Sequence, residues 1–203
     1  MEKVFKFSNK SIIFSVILVL VSLTISVSIG AAEISTDEIV GIFLREILGY
    51  QSNTEINNIN KIIVLEWRLP RFCLGFLVGA SLAIAGCGFQ GVFKNPLADP
   101  FLLGSAAGAG LGVTLVIVND LNYSFGIINS VQLGAFIGAL GAVICAAFIS
   151  ISAGKSIASL LLAGIATAAF LTACQTYLMH KYYSSMQEIY SWIIGRLLTS
   201  GWE

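Results

Sequence analysis

Residues 68–115 read RLPRFCLGFLVGASLAIAGCGFQGVFKNPLADPFLLGSAAGAGLGVTL, from Arg68 to Leu115. Between Arg71 and Lys94 there is no charged residue, so 72–93 form an apolar run. At ~1.5 Å per helical residue that run crosses the ~30 Å hydrocarbon core of a bilayer. Asn95-Pro96 and Asp99-Pro100 then turn the chain, with Asp99 suited to cap the next helix and Pro100 to occupy its first position. A second apolar run, 101–119, ends at Asp120. The stretch therefore predicts a membrane hairpin of two helices joined by a tight turn.

The same pattern extends on both sides. Residues 11–32 carry no charge between Lys10 and Glu33, and the last apolar run lies between Lys155 and Lys181. The interval from Asp120 to Lys155 opens with a polar stretch, Asn122 to Ser130, read as a short external turn before another helix. The fold expected is an all-α integral membrane bundle, polytopic, in one transmembrane domain over 1–203. Its five helices fall near 11–32, 72–93, 101–119, 131–152 and 157–180, with external segments 33–71 and 181–203. Composition agrees: 57% of residues are hydrophobic and 11% charged, against about 25% charged in soluble proteins, and mean hydropathy is +0.89. Formal net charge is +0, which gives neither a nucleic-acid footprint nor an acidic solvating tail. The first run follows Lys3, Lys6 and Lys10 as a signal peptide would, but it exceeds the usual ~7–15-residue apolar region of such peptides and reads as a membrane helix.

Orientation follows from the basic residues of the connecting segments. With the N-terminus in the cytoplasm, the inner segments hold Lys3, Lys6, Lys10, Lys94 and Lys155 against Glu2 and Asp99. The outer ones hold Arg45, Lys61, Arg68, Arg71, Lys181 and Arg196 against nine acids: Glu33, Asp37, Glu38, Glu46, Glu55, Glu66, Asp120, Glu188 and Glu203. The short loops carry most of the orienting information: both inner ones hold a lysine, Lys94 and Lys155, while the short outer one holds Asp120, so an N-terminus inside is expected.

Helices in lipid pack closely where small residues let backbones approach. Gly75, Gly79, Ala83, Cys87 and Gly91 recur every four residues in the second helix; Gly104, Gly108 and Gly112 do so in the third. Gly134, Gly138, Ala142 and Ala146 form the row of the fourth, and Gly164, Ala168 and Thr172 that of the fifth. The first helix has no such row and is expected at the rim, the others in a tight core. Cys73, Cys87, Cys145 and Cys174 fall inside apolar runs without CxxC spacing and read as small packing residues. Ser35 and Glu38 have capping-box spacing ahead of Ile39, Ile42, Phe43 and Ile47, with Gly49 after them, which predicts a short amphipathic surface helix.

Sites for chemistry are scarce. Gly154-Lys155-Ser156 looks like the end of a phosphate-binding loop, but the position that needs the first glycine is Ile149. Gly104 to Gly112 follows no predicted strand, which excludes a dinucleotide fold. The lone histidine, His180, supplies no metal site by itself. No nucleophile, base and orienting residue assemble, and no cofactor site is read. Arg68-Leu69-Pro70-Arg71 is the most informative cluster. Its arginines serve equally well as snorkelling anchors beside Trp67 or as bidentate ligands for carboxylates on a docking protein, and the residues alone leave both open. Thr167, Thr172 and Gln175 are candidate pathway residues of the fifth helix, with helix packing as the alternative.

The run Arg68 to Leu115 closely resembles the signature of ABC importer permeases for ferric siderophores, haem and cobalamin. LLLAGIA, Leu160 to Ala166, and SWIIGRLLTSGWE, Ser191 to Glu203, are similar to further segments of that family. The resemblance implies a permease subunit in the prokaryotic cytoplasmic membrane, paired with a second permease subunit as a homodimer or heterodimer. It further implies a separate ATPase that hydrolyses ATP and an extracytoplasmic binding protein that docks on Arg68 and Arg71. It places a gate at Ser156, Ile157, Ala158 and Ser159. Members have about ten membrane helices, so the chain corresponds to the N-terminal part. A shortened product unable to couple ATP hydrolysis to transport alone is expected, or alternatively a non-transporting membrane interaction protein derived from such a permease.

Overall fold

The computed structural model describes residues 8–49, 57–96, 98–121, 123–126, 128–195 and 202. Lys3 and Lys6, which bear on orientation, and Glu55, Arg196 and Glu203 lie outside them, as does most of the segment from Arg196 to Glu203. The chain divides into two compact units, one of residues 1–79 with 197–203, the other of residues 80–196.

In the first unit, α1 (Asn9–Ser28) begins at the Ser8 cap and buries only Val27. Apart from Val19 and Leu23, which are half-buried, its other Ile, Val, Leu and Phe side chains are exposed, as they are when the surrounding solvent is hydrocarbon. The amphipathic helix α2 (Thr36–Leu48) begins at Ser35, whose hydroxyl accepts from Glu38 N, and ends at Gly49 in the left-handed conformation. The expected capping box is only half made, because Glu38 turns its carboxylate to Asn57 N and to Asn60 Nδ2. Ile39 and Ile42 enter a small core with Val27, Ile34 and Val64.

The helix expected to begin at 72 begins at 58. The segments α3 (Asn58–Ile62), a π-helical turn (Ile63–Arg68) and α4 (Leu69–Phe93) run on as one helix of 36 residues. At ~1.5 Å per residue this is about 54 Å, far more than the bilayer core requires. Charges near 58–71 mark the membrane's edge but do not end the helix.

In the second unit, Asp99 accepts from Phe101 N and starts a 3-10 turn, Pro100–Leu103. Gly104, at φ +79°, then redirects the chain into α5 (Ser105–Val118). The span expected at 101–119 is thus broken, and α5 alone, at 14 residues, covers about 21 Å. A minimal hairpin, β1 (Ser124–Phe125) and β2 (Ile128–Asn129), pairs Ser124 with Asn129 and Phe125 with Ile128. Asn129 then caps α6 (Ser130–Ser152) in a full capping box with Gln132. After a tight turn come α7 (Ile157–Lys181) and the short α8 (Met186–Ile193), whose Ile189 is buried. Among the described residues, four helices are long and apolar enough to cross a membrane: 9–28, 58–93, 130–152 and 157–181.

Candidate functional site

The arginine pair sits where the 36-residue helix changes its hydrogen-bond register. Leu69 N–H donates to Val64 O, five residues back, as in a π-helix. Pro70 accounts for the irregularity. An α-ladder would require a donor at position 70 for Glu66 O, and proline has none. Displacing the ladder by one residue leaves Leu65 O without a partner on either scheme, since Leu69 N–H is committed and Pro70 cannot donate. The indole of Trp202 fills the gap, with Nε1 2.7 Å from Leu65 O.

Beyond this turn Arg68 points back into the protein. Its Nη1 donates to Val27 O, and to Ser28 O at 3.3 Å; Nη2 donates to Ala32 O at 2.6 Å. Val27 and Ser28 lie at the C-terminal end of α1, where carbonyls lack helical donors and the helix dipole is negative, and Ala32 lies in the segment after it. Gly30 is shaped to the guanidinium, since a Cβ there would lie 2.8 Å from Arg68 Cζ and 2.9 Å from Nε. Arg68 is 9% exposed. Three hydrogen bonds thus turn Arg68 toward the end of α1 and the segment that follows it. Arg71 is half-buried, and its Nε is enclosed without a hydrogen-bond partner among the described residues. Arg68, Arg71, Trp67, Ile25, Ile29 and Ile63 line a cavity of about 650 Å³. Trp67, 60% exposed, covers one side of it. No pattern in the sequence pairs 27–32 with Arg68; the fold brings them together.

At the other expected site, Ser156 and Ser159 cap α7 reciprocally. Each hydroxyl accepts from the other residue's backbone N–H at 3.0 Å, and Ser159 Oγ lies 3.0 Å from Ser150 Oγ. Ile157 and Ala158, between them, are exposed. The region expected as a gate is thus a helix start.

The three pathway candidates are separated. Thr167 and Gln175 are 5% and 8% exposed, whereas Thr172 is exposed. Thr167 Oγ1 and Gln175 Nε2 are buried without partners among the described residues. Gln175 packs on Gly110, where a Cβ would come within 2.8 Å of its Nε2 and Oε1. Gly110 lies off the four-residue row, so reading for rows missed it. Beside it, the buried Thr114 hydroxyl donates to Gly110 O at 2.8 Å.

Rows in the other helices meet different fates. Gly108 and Gly112 of α5 lie directly on Gly134 and Gly138 of α6. A Cβ at Gly138 would overlap Gly108 O and stand 2.9 Å from Gly108 C, and one at Gly112 would overlap Gly134 O. Gly104 meets α7 the same way, with Gly164 O at 3.2 Å and Ala168 N at 3.3 Å from an added Cβ, and a Cβ at Gly164 would stand 2.8 Å from Leu103 Cα. Gly75 and Gly79 meet nothing within 4 Å, and Pro70 is the one buried residue of α4. A row of small residues permits close approach but does not by itself supply the partner. All four cysteines are free. Among the described residues no group of three or more His, Cys, Asp or Glu gathers.

Comparison with known proteins places this architecture. The FecCD transport family matches residues 18–203. The Fe(3+)-citrate import system permease protein YfmE of Bacillus subtilis is 37% identical over 95% of this chain and 54% of its own length. The hemin transport system permease protein HmuU of Yersinia pestis is 39% identical over 74% of this chain and 46% of its own length. The chain thus spans about half the length of these relatives. A solved structure described as an inward-facing metal-chelate type ABC transporter superposes with a TM-score of 0.71, at 24% identity, over 96% of this chain and 56% of the other. That likeness establishes the shared fold. With the family match running from α1 to Glu203, this multi-pass membrane chain belongs to the FecCD transport family.

Proposed function

We propose that the chain forms part of the membrane permease of a binding-protein-dependent importer for iron chelates. Ferric siderophores are the leading substrate class, with haem and cobalamin as further members. The observation that carries the reading is the match over 18–203, together with relatives that import Fe(3+)-citrate and hemin. ATP hydrolysis falls to a separate ATPase subunit, and a second permease subunit completes the membrane assembly. The N-terminus lies in the cytoplasm, which puts the arginine end of α4 on the outer side.

Docking is the step for which these residues offer the clearest chemistry. Arg71, whose Nε has no partner among the described residues, meets acidic side chains that the binding protein brings, and Arg68, tied to the end of α1, secures the mouth against which the partner sits. Docking and ATP-driven motion then alternate access to a pathway beside α7. Thr167, Thr172 and Gln175 are its candidate polar groups, and 156–159 the candidate gate at its inner end. Lipid surrounds the outward apolar faces of α1 and α4.

The test uses the chain in lipid nanodiscs and the substrate-binding protein whose gene neighbours its own. Arg71→Glu is expected to weaken binding by about tenfold or more, in line with reversal of an interfacial charge pair. A partner carboxylate changed to lysine should restore it. Unchanged affinity in Arg71→Glu would remove Arg71 from the docking surface.

A further inference from the structure

We propose that Trp202 is a positioning residue for the arginine pair: its indole N–H replaces the backbone donor that Pro70 removes, and so locks the π turn that aims Arg68 at α1. The argument is a complete account of one carbonyl. In an α-ladder Leu65 O would accept from Leu69 N–H, which here donates to Val64 O. In a π-ladder it would accept from position 70, where proline has no N–H. Trp202 Nε1, 137 positions away in sequence, takes the vacant place at 2.7 Å.

An indole suits that task because its nitrogen only donates and its ring is at home at a membrane interface. Without it, Leu65 O, at an exposed position of the turn, would have no protein donor among the described residues. Without the indole each register leaves one carbonyl open, Leu65 O in the π turn or Glu66 O in α geometry, so the π turn loses its advantage and α geometry, which returns Leu69 N–H to Leu65 O, becomes equally accessible. That change removes the extra residue of the turn and rotates α4 by about 100° relative to α3. Arg68 would then swing away from the carbonyls of Val27, Ser28 and Ala32, and Arg71 would turn with it. The indole therefore biases the register, and through the register the direction of both guanidinium groups. The inference bears on the docking role without resting on it.

The test uses the full chain in nanodiscs with no binding protein present, so its failure and the failure of the docking reading are distinguishable. Nitrogen-15 labelling resolves the indoles of the chain's 3 tryptophans. Trp202 and Trp67 are similarly exposed, at 57% and 60%, so the expected exchange of the Trp202 indole proton, slower than that of Trp67 by about tenfold or more, reports its hydrogen bond. Trp202→Phe keeps the ring and loses the donor; phenylglyoxal labelling of Arg68, mapped by mass spectrometry, should rise by about fivefold. Pro70→Ala returns a backbone N–H to position 70. In that background neither register needs the indole, so Trp202→Phe should leave Arg68 labelling at the level of Pro70→Ala alone, which loss of general packing would not show. Equal exchange at Trp202 and Trp67, or unchanged Arg68 labelling in a Trp202→Phe chain of normal helicity, overturns the proposal. Should Trp202→Phe alone lose helicity, recovery in the Pro70→Ala double variant supports it and no recovery overturns it.

Discussion

Gly138→Ala isolates the strongest packing feature of the chain, the backbone contact between α5 and α6. The added methyl would overlap Gly108 O and lie 2.9 Å from Gly108 C and 3.1 Å from Gly112 Cα. Ordinary carbon–carbon contact is about 3.5–4.0 Å. Every atom in the way belongs to backbone, so no side chain can rotate aside and the two helices must part. Parting them loses the contacts at the Gly134–Gly112 crossing as well. Overpacking costs about 1–3 kcal/mol, and a rigid backbone obstacle places this substitution near the top of that range. Gly141→Ala on the same helix is the matched control: nothing lies within 4 Å of its Cβ, and alanine is the better helix former by about 1 kcal/mol. Thermal unfolding in matched detergent should put Gly138→Ala roughly 6–12 °C below the parent, at about 2–4 °C per kcal/mol for a chain of this size. Gly141→Ala should match the parent or exceed it. Equal midpoints for the two variants would refute the α5–α6 backbone contact.

Three further substitutions probe the sites. Arg68→Ala removes the hydrogen bonds to Val27 O, Ser28 O and Ala32 O and should cost about 3 kcal/mol, given ~1.5–3 kcal/mol for a charge-assisted bond and the non-additivity of neighbours. Amide exchange should quicken across 29–34 first, and unchanged protection there would contradict the tie to α1. Gln175→Leu replaces a buried amide whose Nε2 has no partner; stability should hold or rise by up to about 1 kcal/mol, and a clear loss would show that the amide is satisfied. Ser156→Ala loses the α7 cap at about 1 kcal/mol, whereas Ser156→Asp, another good cap, should be neutral; equal losses from both would show that the serine does more than cap.

Local chemistry explains why some boundaries were legible in the sequence. Asn129 with Gln132, and Ser156 with Ser159, satisfy free N–H groups through neighbours in sequence, and the helices of 130–152 and 157–181 start there. Asp99-Pro100 likewise starts the 3-10 turn. The start of the long helix was not legible, because charge between 58 and 71 records where water begins and helices continue into water. Nor was the break at Gly104, since a glycine in a four-residue row reads as packing when it also supplies a positive φ. Arg68 shows the limit most plainly. Its environment consists of carbonyls from 27–32, and backbone acceptors carry no sequence signal. The glycine rows stated which surfaces allow contact; only the fold distinguished Gly108 and Gly138, which meet, from Gly75 and Gly79, which meet nothing among the described residues.

Import itself is the most direct test of the account. Uptake of radioactive iron supplied as a ferric chelate should be measured in cells with this gene deleted, with the deletion complemented, and in the parent. The account predicts that deletion lowers chelated-iron uptake to background and that complementation restores it. Uptake at the parental level across ferric-siderophore, ferric-citrate and haem substrates, with cobalamin uptake equally unaffected, would contradict it.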